Sequence, residues 1–188
     1  MKNEEKYWSL KIPIKINKVD KSTKEFLEIC NKKLGLVPNI IKTNTINKKR
    51  FDAFNVFYAR LMQDINFLTK IEKELIAVVV SSANRCWYCC VSHSYTLGKL
   101  LKDKQKAKII LINYRNAKIS KKHMVMLDFV SKLTNSSYLI NDADRATLRK
   151  AKFSEKHILE IIEVTAFFNM TNRIASGTNM IPNDEYYK

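Results

Sequence analysis

Turn-forming residues are nearly absent from this chain. Three glycines and three prolines serve 188 residues, whereas sandwiches and barrels spend Gly and Pro at many tight turns. A chain with so few reversals is expected to fold as long helices, and its apolar residues recur at helical spacing.

The helices can be placed from their caps and stripes. The first runs from the capping box Ser22-Thr23-Lys24-Glu25 to Gly35, with Pro38 beyond. A second spans about 47–63, with Phe51, Phe54, Phe57, Tyr58 and Leu61 on its core face. A third opens at Thr69-Lys70-Ile71-Glu72 and turns Ile71, Leu75, Ile76, Val78 and Val79 inward. The next begins in a cysteine cluster and ends at Gly98. Helices over about 104–114, 120–134 and 142–151 follow. The last starts at Ser154, buries Ile158, Leu159, Ile162, Ala166, Phe167 and Met170, and closes at Gly177 and Pro182. Residues 1–20 read as an extended arm, where Ile12-Pro13-Ile14-Lys15-Ile16 supports at most an edge strand. No repeat or linker divides the remainder. The expectation is an arm, 1–20, and one all-α domain, 21–188.

The formal charge is +16. Such a surface can attract nucleic acid or an acidic partner. The lysines are dispersed without interleaved aromatic platforms, which weighs against nucleic acid and leaves a non-catalytic basic binding protein as the alternative to an enzyme. No apolar leader follows Met1, and no apolar run approaches the ~18 residues of a membrane span. A cytoplasmic protein is expected, and in a reducing compartment close cysteines serve redox or metal chemistry rather than stapling.

Three of the four cysteines and one of the three histidines fall within Cys86-Trp87-Tyr88-Cys89-Cys90-Val91-Ser92-His93. On a helix, Cys86, Cys89 or Cys90, and His93 share one face. Cys86 lies by the first turn, where free N–H groups and the dipole favour a thiolate. His93 is one turn beyond Cys89 and can accept a thiol proton. A dithiol there can be oxidised by a peroxide through a sulfenic acid and close to a disulfide. Glu74, twelve residues before Cys86, would orient His93 if the two helices pack antiparallel. Other readings are a zinc site from Cys86, Cys89, Cys90 and His93, a thioredoxin motif, and inert buried thiols. Structural zinc draws its ligands from separated knuckles, a thioredoxin pair follows a strand, and inert burial suits Cys30 and Cys90 better than the spaced pair.

Glu74, Cys86-Trp87-Tyr88-Cys89 and His93 resemble the E-x11-C-x-x-C-x3-H signature of the alkylhydroperoxidase AhpD-like proteins in the carboxymuconolactone decarboxylase superfamily. The nearest branch is the peroxidase-related enzymes, whose C-terminal helix is similar to 148–175, with Asn172-Arg173-Ile174-Ala175 matching an N-R-[LI]-A ending. The resemblance spans about 25–182. It implies an all-helical AhpD-like bundle, assembled as a trimer or hexamer, that reduces hydroperoxides with no metal or organic cofactor. In the family scheme Glu74 acts through His93 and a water on Cys89. Cys89 attacks the peroxide, Cys86 resolves the sulfenic acid, and a lipoyl- or thioredoxin-type dithiol restores the pair. The helix terminus argues instead for Cys86 as the more acidic thiol, so the first attacker is left open. Three departures stand out. Tyr88 occupies the position of a relay histidine, Cys90 is an additional thiol, and Lys152 replaces a frequent turn glycine. Lactone decarboxylation, the other superfamily chemistry, makes no use of the paired cysteines.

Overall fold

The computed structural model describes residues 6–63 and 67–188, and among them every regular element is a helix. In chain order these are α1 (Lys21–Leu34), α2 (Asn39–Asn44), α3 (Lys48–Tyr58), α4 (Lys70–Ala83), α5 (Trp87–Leu101), α6 (Lys104–Asn113), α7 (Lys121–Asn135), α8 (Asp142–Lys150) and α9 (Glu155–Gly177). Short 3-10 turns join several of them. The all-α class read from the scarcity of turn residues is the observed one.

α4 is the axis of the bundle. Every residue from Glu72 to Ser81 is buried, because α5, α6, α7 and α9 all pack on it. Its capping box is the expected one: Thr69 Oγ1 accepts from Glu72 N–H and Glu72 returns to Thr69 N–H. The charged Lys73 is 1% exposed and meets Glu160 of α9 at 2.8 Å. Glu160 also accepts the N–H groups of Phe67 and Leu68 at 3.0 and 2.7 Å. This pair ties α9 to the entry of α4.

Several boundaries differ from the sequence expectation, each for a physical reason. α1 is capped by Asp20 rather than Ser22. The Asp20 carboxylate accepts from Thr23 N–H and from both neighbouring hydroxyls, which holds it well below the usual carboxylate range. Gly35 ends α1 as expected, with φ 78° and its N–H on Asn31 O. Gly98 does not end α5. A Cβ there would lie 3.3 Å from Lys104 Cα, so this glycine admits α6 against α5. Lys102 takes the left-handed cap instead, at φ 53°. The span 47–63 divides into α3 and a π-helical turn over Ala59–Gln63. Phe51 and Leu61 join the core, but Phe57 is half exposed.

On α9 the buried face is Ile158, Ile161, Val164, Phe167 and Phe168, whereas Leu159, Ala166 and Met170 face outward. That helix is apolar on several sides, so periodicity alone leaves its orientation ambiguous. The proline-containing stretch 12–16 forms no strand. Nearer the start, Tyr7 and Trp8 are buried, and the chain bonds to the end of α9 through Ser9 N–H to Thr178 O and Ile181 N–H to Tyr7 O. Among the described residues no helix is long and apolar enough to cross a membrane.

Candidate active site

The site is built on the hairpin of α4 and α5. The chain reverses through Asn84 and Arg85, the latter at φ 52°, a left-handed geometry costing a non-glycine residue about 1–2 kcal/mol. Cys86 N–H then bonds Ser81 O at 3.1 Å. The turn is braced against α9, because Asn84 Nδ2 donates to Asn169 Oδ1 at 3.1 Å and Asn172 Oδ1 at 3.4 Å. Asn172, the buried first residue of the N-R-I-A stretch, thus steadies the turn that carries the cysteines.

Cys86 is the N-cap of α5 and Cys89 lies three residues on. Their Cα atoms are 5.3 Å apart and the two sulfurs form a disulfide. Cys89 N–H donates to Cys86 Sγ at 3.4 Å. The Cys89 N–H and the positive end of the helix dipole therefore face Cys86 Sγ. Both residues are buried, at 1% and 3%, in a cluster with Tyr88, Ala175 and Met180.

The antiparallel hairpin brings Glu74 of α4 to His93 of α5. Glu74 Oε2 lies 2.9 Å from His93 Nδ1, with the carboxylate buried. The carboxylate accepts, so Nδ1 carries the proton and Nε2 of the neutral ring is left as the acceptor. Phe168 stacks edge-on against the imidazole at 4.6 Å and holds its plane.

Cys89, His93 and Glu74 open on one cavity of about 360 Å³, which Cys86 does not line. One wall is a run of rings from α3 to the site: Phe54 to Phe167 at 5.8 Å, Phe167 to Phe168 at 5.4 Å, then His93. α1, the segment after it and α2 contribute Cys30, Leu36 and Ile40 in turn, and the C-terminal turn Asp184–Tyr187 contributes Tyr186. That turn is seated by Trp87 Nε1 donating to Tyr187 Oη at 3.1 Å, and Tyr186 packs on Tyr95 and Tyr88.

Tyr88 lines the same cavity as Cys89, with its hydroxyl tied to α2. Its phenol oxygen accepts Ile40 N–H of α2 at 3.2 Å, and burial pushes its pKa up to about 12. Cys90 donates to Ser81 O at 3.3 Å, the carbonyl that also receives Cys86 N–H, and burial raises its thiol. The four ligands of the zinc reading do not converge, and among the described residues no group of three or more metal-ligating side chains gathers anywhere.

Sequence reasoning missed three things here. Glu72, two residues from Glu74, faces the other way and meets His123 Nε2 at 3.4 Å, a second Glu–His pair outside the cavity. Cys30 lines the cavity although it is 59 residues from Cys89 by number. Tyr186 closes a wall from the far end of the chain. Nothing local in the sequence signals the last two.

The sequence profile of the Carboxymuconolactone decarboxylase family matches residues 51–112, from α3 through α6. An uncharacterized peroxidase-related protein from Silicibacter sp. TM1040 is 42% identical, with all of this chain and 97% of that one covered and a TM-score of 0.94. The chain belongs to the AhpD-like proteins of the carboxymuconolactone decarboxylase superfamily. A second AhpD-like structure, the alkylhydroperoxidase AhpD core protein from Ralstonia eutropha JMP134, described as an uncharacterized peroxidase-related protein, is 32% identical over 97% of this chain and 96% of its own, with a TM-score of 0.91. The apo debrominase Bmp8 shares the AhpD-like fold at 18% identity and a TM-score of 0.76, over 89% of each chain. No curated protein matches the sequence. The profile match contains Glu74, Cys86, Cys89 and His93, while α9 and Tyr186 lie outside it.

Proposed function

We propose that this protein is a cysteine-based hydroperoxide reductase without a metal or organic cofactor. The observation that carries the reading is Cys89. It is one half of a disulfide, faces an organic-sized cavity, and sits one turn before a histidine whose Nδ1 is held by a buried carboxylate. In the reduced enzyme, His93 Nε2 takes the Cys89 proton, directly or through a water. The Cys89 thiolate attacks the terminal peroxide oxygen, the O–O bond breaks, and the alkoxide leaves with the proton from His93 as an alcohol. Cys89 is now a sulfenic acid. Cys86 attacks its sulfur, water departs, and the disulfide forms. Two thiols supply the two electrons that reduce ROOH to ROH and water.

The opposing arguments about which sulfur is more acidic become complementary. An external dithiol of lipoyl or thioredoxin type attacks Cys89, the sulfur facing the cavity. Cys86 then leaves as a thiolate, stabilised by the N–H groups at the start of α5. Exposed apolar residues on α9, Leu159, Met170 and Ile174, support the homo-oligomer that the family resemblance implies.

The test is peroxide consumption with dihydrolipoamide as reductant. Cys89→Ser abolishes turnover. His93→Ala slows it about 10²–10⁴-fold, the usual contribution of a positioned base. Cys86→Ser leaves a sulfenic acid on Cys89 that dimedone traps. Equal rates for Cys89→Ser and the wild type would end the proposal.

A further inference from the structure

The cavity is far larger than the reaction needs. Hydrogen peroxide is little bigger than a water, whose share of the liquid is about 30 Å³. A space of about 360 Å³ falls within the roughly 300–1,000 Å³ of pockets that hold organic ligands. Its walls are mainly apolar: Phe54, Phe167 and Phe168 on one side, with Leu36, Ile40 and Ile41 contributed by the N-terminal helical region.

The charged groups are unevenly placed. Glu74 and Cys89 are buried and mark the floor. Two lining residues, Lys33 of α1 and Lys99 of α5, are exposed and mark where the cavity meets solvent. Among the described residues Glu74 is the one acidic group lining the space, and it is engaged by His93. Among the described residues neither lysine has a carboxylate partner; Lys99 lies over the Tyr95 ring at 4.4 Å. An apolar chamber with two uncompensated ammonium groups at its rim is complementary to a molecule with an apolar body and an anionic head.

We infer that the ligand of this cavity is an amphipathic carboxylate, with its chain along the Phe54–Phe167–Phe168 wall and its head at Lys33 and Lys99. This inference rests on the peroxide-reducing reading for the identity of the reacting group only. On that reading the substrate is the hydroperoxide of a medium-chain carboxylic acid, with the peroxide carried inward to Cys89. Both lysines are exposed, so neutralising them leaves the core untouched.

The experiment uses unreactive probes on the full-length protein: octanoate, butyrate and 1-octanol, titrated by calorimetry at constant ionic strength. Each added methylene between butyrate and octanoate tightens binding by up to about fourfold. The preference for octanoate over 1-octanol falls about two- to fivefold in each of Lys33→Gln and Lys99→Gln, the range for exposed ion pairs, and shrinks further at high salt. Location is read independently. Octanoate slows alkylation of Cys30, which lines the cavity, by N-ethylmaleimide, while Cys90, which does not, is unaffected. An unchanged octanoate preference in the double variant, or Cys30 left unshielded, overturns the inference. Should octanoate bind and shield Cys30 while no hydroperoxide is reduced, the functional reading fails and the anion site stands. Should cumene hydroperoxide be reduced while octanoate leaves Cys30 exposed, the reverse holds.

Discussion

Glu160→Ala tests what holds the axis helix in register. The Glu160 carboxylate is 3% exposed and serves three groups: Lys73 Nζ at 2.8 Å, Phe67 N–H at 3.0 Å and Leu68 N–H at 2.7 Å. Removing it takes a carboxylate from an ammonium that is 1% exposed and keeps a bond to Leu61 O at 2.7 Å. Breaking a buried pair by deleting one partner costs about 3–5 kcal/mol, and an orphaned buried N–H about 1–3 kcal/mol. Phe67 is 45% exposed and its amide can turn to water, but Leu68 is 1% exposed and cannot. The contributions overlap, so the sum is held near the single-pair figure, about 4 kcal/mol. For a chain of this length that is a drop of about 8–16 °C in Tm. Glu160→Gln keeps an acceptor for Leu68 while losing the charge, so it costs about half as much. Thermal and urea melts at one fixed protein concentration measure both, since assembly shifts apparent stability. An alanine variant within about 1 kcal/mol of the wild type, or a glutamine variant as damaged as the alanine one, would refute the reasoning.

Three further outcomes follow from local geometry. Lys152 stands at φ 67° where a glycine bears no penalty, so Lys152→Gly raises stability by about 1 kcal/mol in a urea melt. Glu72 is held at about 2, against an ordinary 4.5, first by its bond to His123. A depressed carboxylate adds stability above its unfolded value and loses it as pH falls through the folded one. Glu72→Gln therefore flattens the fall in Tm between about pH 4.5 and pH 2, and identical acid profiles would contradict this. Tyr88→Phe leaves Ile40 N–H without its acceptor and costs about 1–2 kcal/mol. Peroxide turnover stays near the wild-type rate, because the phenol bolts α2 rather than relaying protons; a loss of 10²-fold or more would restore the relay role.

The elements that could be read from the chain are those whose determinants are close in sequence. The Thr69–Glu72 box, the Ser154 cap and the Gly35 stop act within four residues. Cys86, Cys89 and His93 span two turns of one helix, and Glu74 meets His93 because a tight turn folds α4 back on α5. Local hydrogen bonding and helical periodicity were sufficient for all of these.

What was illegible depends on distant partners. α2 is six residues long, too short to stand alone, and it forms because Asn183 accepts Asn39 N–H, Asn39 donates to Ile181 O, and Tyr88 accepts Ile40 N–H. The outward turn of Leu159 and Met170 reflects which sides of α9 are claimed by α4, α5 and α7. The cavity exists only once α1, α3, α5, α9 and the Tyr186 turn surround it. The sequence by itself determined an all-helical chain carrying a paired thiol, a histidine and a glutamate. Tertiary packing alone decided which sulfur faces the cavity and what lines it, because those contacts join residues that no helical period relates.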